Sequence, residues 1–239
     1  MPALSGRNAV VTGASRGIGA EIARQLAASG ARVALLARTE SALKTVAAEI
    51  GSASIVIRCD FSDSRSVDEA TAEVSRAFGD APDILVNNAG SFHLAPLHEL
   101  PAVALSESLQ TNLVAPFILL RAFLARMRAR GNGHIVTIGS VADRSVFPDN
   151  GAYAASKHGL RAMHEVLLAE LRGTGVRASL VSPSAVDTNL WDPIDTESGA
   201  TPYPSRRSML SPQAVARAVI FALEQPAGVN IDELRLSRS

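Results

Sequence analysis

Tyr153 and Lys157 stand four residues apart in Tyr-Ala-Ala-Ser-Lys, 13 residues after Ser140 in Ile-Gly-Ser. On a helix, residues i and i+4 share a face, so the ammonium can approach the phenol and favour its ionised form. A free tyrosine, with a pKa of about 10, is a poor base at neutral pH. A positive charge about 4 Å away favours the phenolate by roughly 4 kcal/mol at an effective dielectric of about 20, an upper bound of about three pKa units. A pair so spaced can do acid-base chemistry near physiological pH. Tyr-x-x-x-Lys by itself also recurs on solvated helix faces, so its meaning depends on what accompanies it.

A glycine-rich segment, Thr12-Gly13-Ala14-Ser15-Arg16-Gly17-Ile18-Gly19, joins an apolar run to a helical pattern. Glycines there let the backbone turn tightly and approach a pyrophosphate, whose charge the helix N-terminus favours. The spacing departs from G-x-G-x-x-G, and such a turn can also be a plain strand-to-helix connection.

The elements that must position these residues alternate along the chain. Short apolar runs at 8–12, 32–37, 54–59, 84–86, 134–138, 177–181 and 230–236 read as strands. Helical patterns lie at 17–29, 41–50, 64–78, 112–130, 151–172 and 211–224. Alternation of this kind predicts an α/β fold, a single-domain doubly wound parallel sheet of about seven strands with helices on both faces. Several strands are apolar without alternation, as strands covered on both faces should be. Leu160, Met163, Leu167 and Leu171 extend a core stripe along the Tyr153 helix. Residues 187–210, with Pro193, Pro202 and Pro204, break the rhythm and read as a lid or a loose loop within one domain spanning 1–239.

Composition narrows the function classes. The chain has 239 residues, 47% of them hydrophobic, with 23 basic and 23 acidic residues and net charge +0. A balanced charge without long runs gives no footprint for nucleic acid or an anionic membrane. The single cysteine, Cys59, cannot form an intramolecular disulfide and reads as core packing at a strand end. The five histidines are scattered, and His98-Glu99 lacks the second histidine of a metal-binding helix, so no catalytic metal is expected. The start of the chain is too short and polar for a signal peptide, and no apolar run reaches the roughly 18 residues that span a bilayer. A soluble, cytoplasmic protein is expected.

Taken in order, T-G-x-x-x-G-I-G, Asn87-Asn88-Ala89-Gly90, Asn112, Ser140, Tyr153-x-x-x-Lys157 and Pro183 to Thr188 resemble the short-chain dehydrogenase/reductase family over about residues 7–236. The resemblance implies that Tyr153 transfers the proton at the substrate oxygen and that Ser140 holds that oxygen. It implies that Lys157 binds the nicotinamide ribose and stabilises the tyrosinate, while Asn112 positions a water linking Lys157 to solvent. It also assigns cofactor contacts to Gly13, Ser15, Arg16, Gly17, Ile18, Gly19, Asp60, Phe61, Asn88, Ala89, Gly90, Pro183, Val186 and Thr188. Asn87 reads equally as a structural tie between strands. Two departures stand out: Ser184 follows Pro183 where glycine is frequent, and 230–234 lacks the paired glycines of relatives that reduce acyl-carrier-protein substrates.

Cofactor choice follows from the end of the second strand. An acid there would accept the adenosine ribose hydroxyls of NAD, but the chain reads Leu36-Ala37-Arg38-Thr39. Arg38 and Arg16 can clamp a 2′-phosphate through charge-assisted hydrogen bonds, which favours NADP(H) over NAD(H). Substrate contacts are expected from 91–94, 141–150 and 187–210, with Phe92, Phe147 and Trp191 as an apolar wall. The resulting expectation is an oxidoreductase interconverting a small-molecule carbonyl and a secondary alcohol. The alternatives are an NAD(H)-linked alcohol dehydrogenase and a non-catalytic nucleotide sensor on the same fold. The run from Leu113 to Leu120 is apolar nearly all round, which with the resemblance points to a homodimer or homotetramer paired through this helix and the Tyr153 helix.

Overall fold

In the computed structural model, residues 3–196 and 203–239 are described. The strands are β1 (Asn8–Thr12), β2 (Arg32–Ala37), β3 (Ser54–Arg58), β4 (Ile84–Asn87), β5 (Gly133–Ile138), β6 (Val176–Pro183) and β7 (Glu233–Leu236). All pair in parallel, in the order β3-β2-β1-β4-β5-β6-β7. The chain winds outward from β1 to β3, then restarts beside β1 with β4 and winds the other way. Ligands of such sheets sit outside the carboxyl ends of the strands where the winding reverses, here between β1 and β4.

Among the described residues, seven helices cover the sheet: α1 (Gly17–Ala28), α2 (Glu40–Ile50), α3 (Ser64–Phe78), α4 (Ala102–Leu109), α5 (Ala115–Ala129), α6 (Gly151–Leu171) and α7 (Pro212–Leu223). Successive β2 residues show why the strands do not alternate in polarity. Val33 and Leu35 pack with Ile22 and Leu26 of α1, Leu43 of α2 and Val219 of α7. Ala34 and Leu36 face the other way, toward Val67 of α3, Leu119 and Phe123 of α5 and Leu167 of α6. Both faces are covered, so both sets must be apolar.

One helix departs from the sequence expectation. Instead of starting at 112, it starts at Ala102 after Pro101 and runs as α4, a π turn over Gln110–Val114, and α5. Pro116 lacks an N–H, so the Asn112 carbonyl loses its i+4 donor, and the Ala115 N–H reaches back to Gln110 O instead. The continuous Ala102–Ala129 helix has the length and composition of a membrane span, with an 18-residue window of mean hydropathy 1.3. Its buried residues, among them Leu119, Phe123 and Met127, pack into the core of the sheet. Strand limits differ by smaller amounts, the largest at β7, which begins at Glu233 and not at 230.

Residues 187–210 leave and return at one neck. A bridge pairs Val186 with Leu210, and the Asp187 N–H donates to Leu210 O. Short 3-10 turns lie at Asn189–Trp191 and Arg206–Ser208. Residues 197–202 of the expected lid, including Pro202, lie outside the described residues.

Candidate active site

A cleft of about 590 Å³ opens at the β1/β4 reversal, and the expected cofactor and catalytic residues line it with one exception, Asn112. The glycine segment forms its floor. Gly19 is packed so closely that a Cβ there would stand 2.3 Å from Gly13 O and 2.5 Å from Asn88 Nδ2, so no other residue fits without moving backbone. Helix α1 begins at Gly17 with no side-chain cap and no acid in its first turn. Its leading N–H groups and positive dipole end therefore remain available to an anion. A glycine cradle and an uncapped helix start fit a pyrophosphate.

Thr12 ties this floor to the next strand. Its hydroxyl donates to Val86 O at 3.2 Å and accepts from the N–H groups of Asn88 and Ala89, both at 2.9 Å. Asn88 Nδ2 donates to Thr12 O at 2.8 Å. The tie between strands is thus made by Thr12 and Asn88, whereas the buried amide of Asn87 has no hydrogen-bond partner among the described residues.

At the far end, Arg16 and Arg38 are exposed on the rim of the cleft, and no acid stands at the end of β2. Asp60 accepts from the Ser62 N–H at 3.0 Å and from its hydroxyl at 2.7 Å. These bonds, opposed by desolvation and assisted by Arg38 and Arg58, hold its carboxyl below the usual range. Phe61 beside it is buried, and Pro183, Val186 and Thr188 bound the cleft after β6. Cys59, directly after β3, lies in the core, its thiol pushed up to about 12 by burial.

Ser140, Tyr153 and Lys157 meet at the inner end. The Lys157 side chain is buried; its Nζ donates to Ile138 O at 2.9 Å and lies 5.6 Å from the Tyr153 ring centroid. Burial brings its pKa down to about 8, against the upward pull of Asp143. The Tyr153 ring is half-buried, and desolvation pushes its phenol up to about 12, opposed by the Ser140 hydroxyl and reinforced by Asp143. The lowered phenol expected from the i, i+4 spacing is therefore corrected: within the protein alone, desolvation and Asp143 outweigh the Ser140 hydrogen bond and the phenol is raised. At neutral pH this phenol keeps its proton.

Asn112 lies behind the cleft. Its Oδ1 accepts from the Ser91 N–H at 2.8 Å, and its Nδ2 donates to Ser91 O at 3.0 Å and to Ser156 Oγ at 2.9 Å. Its side chain thereby fastens the loop after β4 to α6.

Over the inner end stand aromatic rings in edge and tilted contact. Phe92 lies 4.8 Å from Tyr153 and 5.4 Å from Trp191, and Trp191 lies 5.7 Å from Tyr203, centroid to centroid. Phe147 also lines the cleft but is 44% exposed, and Tyr203, within the expected 187–210 segment but not singled out by sequence reasoning, extends the wall. Asp143, within the expected 141–150 segment, was not singled out either. Its signal was the capping-box spacing Ser140-x-x-Asp143, which the structure forms. Among the described residues no group of three or more His, Cys, Asp or Glu is placed to hold a metal.

Comparison with known proteins agrees with this geometry. A family model described as short chain dehydrogenase matches residues 7–199. An uncharacterised oxidoreductase of Staphylococcus saprophyticus is 37% identical over 238 residues, covering 98% of each chain. D-threitol dehydrogenase of Mycolicibacterium smegmatis is 36% identical, covering 95% of this chain and 90% of that one. Among solved structures, a metagenomic short-chain oxidoreductase in complex with NADP superposes with a TM-score of 0.84 at 37% identity, covering 99% of both chains.

Proposed function

The chain belongs to the short-chain dehydrogenase family, and from that premise we propose that it is an NADP(H)-dependent oxidoreductase interconverting a carbonyl and a secondary alcohol. The observation that carries this reading is one cleft with Ser140, Tyr153 and Lys157 at its inner end and Arg16 and Arg38, unaccompanied by an acid at the end of β2, at its rim. When bound, the nicotinamide cofactor supplies or accepts the hydride. Tyr153 donates its phenolic proton to the substrate oxygen, and the Ser140 hydroxyl holds that oxygen in place. Lys157 steadies the tyrosinate left behind and orients the cofactor ribose. A phenol that keeps its proton at neutral pH suits reduction of the carbonyl; the reverse reaction needs the phenolate and gains from higher pH.

Because the Asn112 amide is committed to Ser91 and Ser156, the backbone carbonyl of Asn112 is the group left to hold a water leading from Lys157. Arg16 and Arg38 clamp the 2′-phosphate, Asp60 and Phe61 flank the adenine, and residues 187–210 form the substrate lid of a single 1–239 domain. The enzyme acts in the cytoplasm on a small molecule and assembles as a homodimer or homotetramer.

A screen of ketones and secondary alcohols, followed by NADPH and NADH absorbance, tests the reading. Turnover with a preference for NADPH is expected. Preference for NADH would favour an NAD-linked alcohol dehydrogenase, and absence of turnover with tight nucleotide binding would favour a sensor.

A further inference from the structure

Behind the Ser140 turn lies a charge cluster that the proposed chemistry does not use. The Asp143 side chain is fully buried, and its carboxylate is shared by its own turn and β6, with β7 joined through Arg144. Oδ2 accepts from Ser182 Oγ of β6 at 2.5 Å and from the Ser140 N–H at 3.3 Å. Oδ1 accepts from Arg144 Nε at 2.8 Å, and Arg144 in turn pairs with Glu233 of β7 at 2.5 Å. The space is built for this carboxylate: a Cβ on Gly139 would stand 2.6 Å from Asp143 Oδ2 and 2.5 Å from Ser182 Oγ.

A turn of this shape needs only an acceptor at that position, and a neutral amide oxygen supplies one. Burying a full charge is costly, and removing its water is offset only in part by a neighbouring arginine. Two carboxylates against one guanidinium leave the cluster one unit negative. The groups facing it are Ser140 and Arg144 on its own turn, Ser182 on β6, Glu233 on β7, and Tyr153 and Lys157 on α6. Among the described residues at the inner end of the cleft, Lys157 is the cation beside Tyr153, and the Asp143 charge acts on it.

We propose that Asp143 is a positioning residue for proton transfer, its buried carboxylate fixing the Ser140 turn and setting a negative charge behind the Tyr153–Lys157 pair. The role in catalysis rests on the proposed carbonyl chemistry; the charge placement does not. With Asp143 ionised, Lys157 stays an ammonium and Tyr153 a neutral proton donor across more of the neutral range.

The chain has one other lysine, Lys44, which is exposed, so a lysine label at the Cε carbon gives two NMR signals that a Lys44→Arg variant assigns. The removal of a negative charge disfavours the ammonium. In Asp143→Asn the Lys157 titration should move down by at least about half a pH unit. Glu233→Gln, which keeps the turn intact, should move it the same way by less. Ser182→Ala removes a hydrogen bond but no charge and should leave it in place. An unmoved titration in Asp143→Asn, or an equal movement in Ser182→Ala, would overturn the proposal; if Asp143→Asn does not fold, an unmoved titration in Glu233→Gln does so. With a working substrate, the pH profile of kcat should follow the NMR shift while cofactor KM stays within a few-fold. A moved titration in a protein without carbonyl turnover would refute the proposed function and leave the charge placement standing. A moved titration with an unmoved kcat profile would refute the catalytic role of Asp143 alone.

Discussion

The phenol of Tyr153 and the ammonium of Lys157 share one helix face but, in the proposed mechanism, not one task, and their variants should fail differently. Tyr153→Phe keeps the ring against Phe92 and removes the proton, so turnover should fall by at least about two orders of magnitude, with cofactor affinity within a few-fold. Lys157→Ala should damage cofactor binding and turnover together; steady-state kinetics with direct cofactor titration separates the two patterns. At the rim, on the proposed reading, Arg38→Asp exchanges a phosphate partner for a carboxylate suited to ribose hydroxyls. Loss of a charge-assisted hydrogen bond of about 1.5–3 kcal/mol weakens NADPH roughly ten- to hundredfold, while Arg16 retains part of the attraction. Kinetics with both cofactors at fixed ionic strength measures this, and an unchanged NADPH/NADH ratio would leave Arg38 a mere surface charge.

Helix geometry explains why Asn112 matters without lining the cleft. The π turn at Gln110–Val114 rotates its side chain toward Ser91 and Ser156, where it holds the loop carrying Phe92. Asn112→Ala leaves buried partners unsatisfied, at about 1–3 kcal/mol each for those that water cannot reach. Thermal unfolding should move down by roughly 5–10 °C, given about 2–4 °C per kcal/mol in a chain of this size. Turnover should fall with it. Asn112→Asp, which keeps the acceptor for the Ser91 N–H, should recover part of the loss. The same turn marks a limit of legibility. β1 and β2 were readable to the residue because an apolar run of 5 or 6 bounded by turn residues has few other solutions. α4 was not, because a π turn adds a residue and shifts the 3.6-residue phase, so its apolar stripe does not continue that of α5. The site divided along similar lines: local motifs revealed Tyr153, Lys157 and the glycine loop. Ionisation depended on burial, Tyr203 depended on which distant segments meet, and the partners of Asp143 on β6 depended on the same, although its capping-box spacing was local.

At the scale of the molecule, part of the apolar surface that remains after folding lies on the long helix and its neighbour, with other exposed hydrophobes at Leu97, Val146, Phe147, Phe221 and Val229. Phe117 is 50% exposed on α5 and Val166 57% exposed on α6, while Val103 and Leu105 are exposed on α4. The α5 residues around Phe117 are already buried against the sheet, so the apolar run exceeds what one inward stripe requires. Scattered exposed hydrophobes need no explanation, but large ones gathered on adjacent helices fit an interface between identical copies related by a two-fold axis. Such pairing would cover α6, the helix that carries Tyr153 and Lys157, and so steady the catalytic groups from the side away from the cleft. The wild type should therefore run as a dimer or tetramer in light scattering at micromolar concentration, and particles of only 25.0 kDa would overturn the assignment. Phe117→Arg places a charge where a ring would be buried and should shift the population toward monomer. If pairing steadies α6, the monomeric variant should also lose turnover more than cofactor affinity, whereas a monomer with unchanged kinetics would make the interface independent of catalysis.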